Sequence, residues 1–204
     1  FLSVYLDENL SWSVHIGKIS KKISKTIGVI SRIRYKFDST TLLMLYNTMV
    51  LPYLNYCCIV WGANYFGRLE RLFKLQKRMI RIIIGLKKRD YTSQFFKNLN
   101  ILKVTEINVL QTSFFMYKLY YRLLPENFSS FLCLNNDLHQ HYTRSHNNFH
   151  LISVKTNIRK FSLKFRGSVI WNKIPEIYRF ATSISSFKKL VKDCLINGYF
   201  DIIT

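Results

Sequence analysis

The chain has 204 residues, and 31 Lys and Arg against 11 Asp and Glu give it a formal charge of +20. A hydrophobic fraction of 49% with 16 Phe, 13 Tyr and 3 Trp excludes intrinsic disorder, which requires few large apolar side chains. A collagen, a coiled coil throughout and a disulfide scaffold are excluded as well. Cys57, Cys58, Cys133 and Cys194 include an adjacent pair but no C-x-x-C, which predicts reduced, intracellular thiols. The longest apolar stretch, residues 49–61, is broken by Pro52 and Asn55 and is shorter than the roughly 18–20 residues of a membrane span. No signal peptide is legible. The first residue is Phe1 and the first Met is Met44, so the expectation is a piece of a longer polypeptide.

Taken in chain order, residues 1–6 read as a strand, followed by a polar turn at Asp7, Glu8 and Asn9 and a helix start near Ser11 or Ser13. Trp12, Ile16, Ile19, Ile23, Ile27, Ile30 and Ile33 then recur at steps of three and four, which puts them on one third of a helical wheel. Lys18, Lys21, Lys22, Lys25, Arg32 and Lys36 gather opposite, with Arg34 on the apolar face. Ser39 or Asp38 can cap a second helix from Thr40 to about Leu51, which Pro52 should kink or end. Residues 53–61 are apolar on all sides and are expected to be buried, with Gly62 closing them in a left-handed conformation. A third helix over residues 67–84 sets Leu69, Leu72, Phe73, Met79, Ile80 and Ile83 against Arg71, Lys74, Lys77, Arg78 and Arg81, and Gly85 ends it. Thr92 or Thr105 can cap later helices, the main one over residues 105–122. Residues 127–148 read as a polar, His-rich loop. The alternation of basic and apolar residues over 160–166 predicts a short amphipathic strand ending at Gly167, and a last helix starts near Ser183 or Ser185. The fold class expected is therefore mainly α: a basic helical bundle with a strand pair at its N-terminus and a short β element near 160–167.

The charge falls in three runs. Residues 14–36 carry seven basic and no acidic side chains, residues 66–90 nine and two, and residues 138–175 seven and none. Separated basic stretches of this kind suit an extended polyanion better than a uniformly charged surface. Catalysis is poorly served, because two-metal phosphoryl transfer needs converging carboxylates. The adjacent pair Asp7 and Glu8 sits in a tight turn and reads as a solvated tip. No phosphate loop, G-x-S-x-G or H-E-x-x-H occurs. His139, His141, His146 and His150 cluster downstream of Cys133, but a lone Cys does not make the paired thiolates of structural zinc, so loop histidines are expected and no metal. Tyr46, Tyr53, Tyr56 and Trp61 read as core packing and Cys57 and Cys58 as core thiols. Tyr142, between His141 and Arg144 in the polar loop, is the better candidate for base stacking.

Several blocks in a fixed order carry a resemblance. FLSVYLDENLSWSVHI, LLMLYNTMVLPYLNYCCIVWG, LFKLQKRMIRIIIG, LNILKV, FFMYKLYYRLLP, HYTR, KFSLKFRGSVIWNKIPEIYR and SFKKLVKD resemble the region after the palm in non-LTR (LINE-type, jockey-like) retrotransposon reverse transcriptases. The resemblance implies residues 1–12 as the end of the palm, 13–62 as thumb-like helices, 63–127 as a helical post-thumb region and 128–204 as a C-terminal region. It implies partners in RNA, DNA and their hybrid duplex, held by Lys18, Lys21, Lys22, Lys25, Lys74, Lys77, Arg78 and Arg81. The loop residues His141, Tyr142 and Arg144 would meet element RNA or target DNA. The missing upstream palm and fingers of the same polyprotein would be a further partner, and no membrane is implied. Two departures stand out: Ser3 replaces a Gly usual in the first block, and the Ala-Asp-Asp polymerase motif is absent. The expectation is a nucleic-acid-handling region without catalytic residues or cofactor of its own, whose parent polymerase uses Mg, located in nucleus and cytoplasm. A free-standing basic RNA-binding module, or an interaction protein using the amphipathic helix at 14–36, are the alternatives.

Overall fold

The computed structural model describes residues 3–138 and 144–198, and among these the chain is mainly helical and contains no strand. It divides into two compact units, Phe1–Asn108 and Val109–Thr204. The division falls inside the long helix of residues 104–120, hence inside the 63–127 segment. No helix among the described residues is long and apolar enough to cross a membrane.

Unit 1 holds α1 (Ser13–Ile33), α2 (Ser39–Met49), α3 (Leu51–Asn55), α4 (Cys58–Trp61), α5 (Phe66–Ile84), α6 (Ser93–Asn98) and the first turn of α7 (Val104–Tyr120). The isoleucine spacing forms α1 as expected. Ile16, Ile19, Ile23, Ile27 and Ile30 are buried, while Lys18, Lys21, Lys22, Lys25 and Arg32 are exposed. Its buried side packs on α5 and α2. Before α1, Asn64 Nδ2 and Arg68 Nη1 donate to the Ser11 carbonyl at 3.0 and 3.1 Å. After α1, Ser39 Oγ donates to the Ile83 carbonyl at 3.0 Å. The start of α1 thus lies at the start of α5 and its end at the end of α5, so the two helices run parallel.

Short-range chemistry explains the connections. Asp38 caps α2, its carboxylate accepting from the Thr41 amide at 3.2 Å. Pro52 sits in the first turn of α3, where its missing N–H costs nothing, so the expected break at Pro52 is a restart. Gly85 ends α5 at φ +76°, as expected. Gly62 has φ −79°, not the left-handed conformation expected of it. It is glycine for space: a Cβ there would lie 2.6 Å from the Cys58 carbonyl oxygen and 3.1 Å from the Asn108 side chain.

Three expectations are corrected. Residues 53–61 are not buried throughout: Leu54, Cys58 and Trp61 are, but Tyr53, Tyr56, Cys57 and Val60 are exposed. The cause is Cys57, whose φ of +51° breaks the run into α3 and α4. The element near 160–167 is helical, formed by α9 and a π-helical turn, Leu163–Gly167, with α9 spanning Asn157–Phe161. Thr156 and Ser162 accept from the amides of Arg159 and Phe165 at 3.4 Å each, and these caps override the two-residue alternation. At the N-terminus, Ser3 to Leu6 form no strand; the Tyr5 amide donates to a side chain, His15 Nδ1, and not to a strand ladder, and Phe1 and Leu2 lie outside the described residues.

The core of unit 1 contains one polar knot. Buried Gln76 donates from Nε2 to the Tyr46 hydroxyl at 3.0 Å and to the Leu102 carbonyl at 3.1 Å, and its Oε1 accepts from the Val104 amide at 2.9 Å. These bonds tie α5 to α2 and to the start of α7. Burial, partly offset by the Gln76 bond, pushes the Tyr46 phenol up to about 12.

Unit 2 holds the rest of α7 with α8 (Asn135–Leu138), α9, α10 (Ser168–Lys173), α11 (Glu176–Arg179) and α12 (Ile184–Asn197). Its core is aromatic: Trp171 and Phe187 are fully buried, and Tyr117 stacks on Phe187 with centroids 4.5 Å apart. Buried Arg179 donates to the carbonyls of Ile174 and Asn172 at 2.7 and 2.8 Å and to Asn148 Oδ1 at 2.7 Å. Asn172 pairs with both backbone polar groups of Phe149, at 3.0 and 2.9 Å. An antiparallel bridge between Leu134 and Phe149 closes the base of the polar loop, so its asparagines are bonded anchors and not only turn formers.

Replacing Gln76 by Leu should leave the Leu102 carbonyl and the Val104 amide unpaired and cost on the order of 3 kcal/mol. Urea denaturation followed by circular dichroism measures it; an unchanged midpoint would show that the knot contributes nothing.

Candidate nucleic-acid interface

On α1, a rotation of about 100° per residue gathers Lys18, Lys21, Lys22, Lys25 and Arg32 into one exposed stripe. On α5 the same geometry gathers Arg71, Lys74, Lys77, Arg78 and Arg81, opposite the buried Leu69, Leu72, Gln76 and Ile83. Each stripe lies opposite the buried face of its own helix.

The predicted contacts differ in their surroundings. Lys21, Lys25 and Arg78 are exposed. Lys74 pairs with Glu70 at 3.0 Å on the surface, an exposed pair that contributes little. Lys77 lies with its ammonium 4.3 Å from the Phe73 ring. Arg81 is engaged structurally: its Nε and Nη2 donate to the Asp90 carbonyl at 3.1 and 3.0 Å. That bond closes the loop after α5, which presents exposed Lys87, Lys88 and Arg89. These three lie in the second basic run but were not singled out from the sequence. In unit 2, Arg144 is exposed, while His139, His141 and Tyr142 lie outside the described residues. Among the described residues no three His, Cys, Asp or Glu side chains converge as a metal site. Burial and the neighbouring Cys57 push the Cys58 thiol up to about 12, as for an inert core thiol.

Lys18 and Lys22 come together with groups that sequence reading did not assign to a site. A cleft of about 420 Å³ opens between the start of α1, the N-terminal segment and α3, lined by Tyr5, His15, Lys18, Lys22, Tyr53 and Tyr56. The Lys18 ammonium lies 3.4 Å from the Tyr5 ring centroid, and that of Lys22 5.8 Å from the Tyr53 ring. Ser3, also at the cleft, has φ +63°, a conformation that glycine adopts without strain. His15 is 3% exposed. Its Nδ1 accepts from the Tyr5 amide at 3.5 Å, which leaves the proton of the neutral ring on Nε2, a buried atom with no hydrogen-bond partner among the described residues. Its ring meets Trp61 edge-on at 5.6 Å.

No family model, curated protein or solved structure matches the chain.

Burial first, and then the charge of Lys22, hold the His15 imidazole below its ordinary 6.5. The unfolded chain therefore binds the proton more tightly, and this site's stability contribution is complete above pH 6.5 and is lost as pH falls below it. Between pH 7.5 and 5.5 the melting temperature should drop. In His15→Phe, which keeps a ring against Trp61, the slope should be shallower than in the parent chain; equal slopes would exclude His15 as a contributor.

Proposed function

We propose that this chain is the nucleic-acid-handling part of a non-LTR retrotransposon reverse transcriptase, and that it holds an RNA–DNA duplex through phosphates. The observation that supports this reading best is the pair of long parallel helices, each with a basic stripe opposite its packing face. Stripes of ammonium and guanidinium groups contact phosphates without reading sequence. In this reading residues 1–12 belong to the end of the palm, and the upstream palm strands would lie beside them. The catalytic carboxylates and their Mg belong to that upstream region, and the protein works in nucleus and cytoplasm, where element RNA and target DNA are found. The exposed Arg144 would contact nucleic acid beside His141 and Tyr142.

One observation favours the alternative of a free-standing RNA-binding module: the segment before α1 packs on its own helix, the Tyr5 amide donating to His15 Nδ1 at 3.5 Å. Translating the DNA upstream of Phe1 separates the two. An in-frame Ala-Asp-Asp block supports the polymerase, and a nearby start codon without it supports the module.

Binding of a labelled RNA–DNA duplex, read by anisotropy, should weaken by on the order of 10³ between 50 and 200 mM salt if about six phosphates are engaged. Lys21→Glu with Lys25→Glu should weaken it further while leaving the melting temperature nearly unchanged, since both side chains are exposed. An affinity indifferent to salt and to both substitutions would refute phosphate contact by α1. The purified chain should incorporate no nucleotide on any primed template with Mg or Mn; dideoxynucleotide-sensitive extension would place catalysis in this chain.

A further inference from the structure

We propose that the cleft lined by Tyr5, Lys18, Lys22, Tyr53 and Tyr56 is a binding site for one unpaired nucleotide, its base against the tyrosine rings and its phosphate on the two lysines. The inference rests on the reading above for the source of that nucleotide, a strand end or a splayed base next to a duplex held on the stripes.

The chemistry of the lining selects the ligand. Neither Lys18 nor Lys22 has an ion-pair partner among the described residues, and the cleft is lined by no carboxylate. The Lys18 ammonium rests on the Tyr5 ring and that of Lys22 stands 5.8 Å from the Tyr53 ring, an arrangement that keeps their charge available to an anion. Tyr5, Tyr53 and Tyr56 are 38%, 38% and 48% exposed, so each offers part of a ring, an apolar body with a polar tip, to a ligand in the cleft. A bare phosphate would use the lysines and leave the rings wet; an apolar ligand would use the rings and strand the charges. A nucleotide uses both. The volume, about 420 Å³, lies in the range of small-molecule sites, enough for one nucleotide and not for a stacked pair of strands. Bases inside a duplex present no free ring face, whereas unpaired ones stack on aromatic side chains. Lys21 and Lys25, which belong to the same stripe, do not line the cleft, so duplex binding and nucleotide binding can be separated by substitution.

The test uses the full chain and three probes carrying the fluorescent base 2-aminopurine, which is quenched on stacking. They are a blunt RNA–DNA duplex, the same duplex with one unpaired 2-aminopurine nucleotide at an end, and free 2-aminopurine riboside 5′-monophosphate. The expected result is at least about fivefold tighter binding of the overhang than of the blunt duplex, with quenching, as one stacked base provides. Tyr53→Ala and Tyr56→Ala, both at exposed positions, should remove the advantage and the quenching and leave blunt-duplex affinity within about twofold. Quenching of the free monophosphate, competed by AMP, would assign the cleft to free nucleotides; quenching of the overhang alone would assign it to strand ends. Equal affinity for blunt and overhang duplexes with no quenching of any probe overturns the proposal, as does quenching that survives both tyrosine substitutions. If no duplex binds but the monophosphate does, the duplex-holding reading fails and the cleft assignment stands.

Discussion

Gln76 spends its whole side-chain amide inside the core of unit 1, donating to Tyr46 and Leu102 and accepting from Val104. A buried amide is costly unless every partner is in place, so this one fixes the rotation of α5 about its own axis. On the helical wheel Gln76 lies roughly 160° from Lys74. With the amide turned inward, Arg71, Lys74 and Arg78 have to face water. The orientation of the second basic stripe is thus set by neutral contacts in the core, the Gln76 amide and the buried Leu69, Leu72, Met79, Ile80 and Ile83 on the same face, not by the charges themselves.

The cations of both units are handled in a common way. Lys18, Lys22, Lys77, Lys164 and Lys188 lie over Tyr or Phe rings, and the buried Arg179 is held by carbonyl and amide oxygens. Burial lowers the pKa of that guanidinium and Glu176 partly restores it. Ring faces accept a cation without cancelling its charge, so the fold accommodates part of a formal +20 without neutralising it.

What was legible in the sequence is what a single helix decides. The isoleucines of α1, the Asp38 cap and Gly85 each depend on residues within a few positions, and each takes the expected form. The site was hidden because its parts belong to separate segments. His15 lies at nearly the same wheel angle as Lys22, within the polar stripe. It is buried because the segment carrying Tyr5 and the ring of Trp61 come over it, and no periodicity in α1 announces that. Tyr53 and Tyr56 read as core because residues 53–61 are apolar in composition; the left-handed Cys57 that turns them outward is not a residue type associated with such a bend. Near residue 160 the alternation was real, but two hydroxyl caps decided the backbone.

The parallel course of α1 and α5 has a kinetic consequence. Parallel neighbours cannot be joined by a tight turn, so the chain has to pass through α2, α3 and α4 before the α1–α5 seam can form, and through Val104 before the Gln76 amide finds its last partner. At the usual elongation rates, the interval between synthesis of Ser13 and of Val104 is roughly 5 to 20 s. Throughout it the isoleucine face of α1 lacks its permanent cover while its lysines are already present. A nascent basic amphipathic helix in that state presents an apolar face to chaperones before the mature fold exists to bury it.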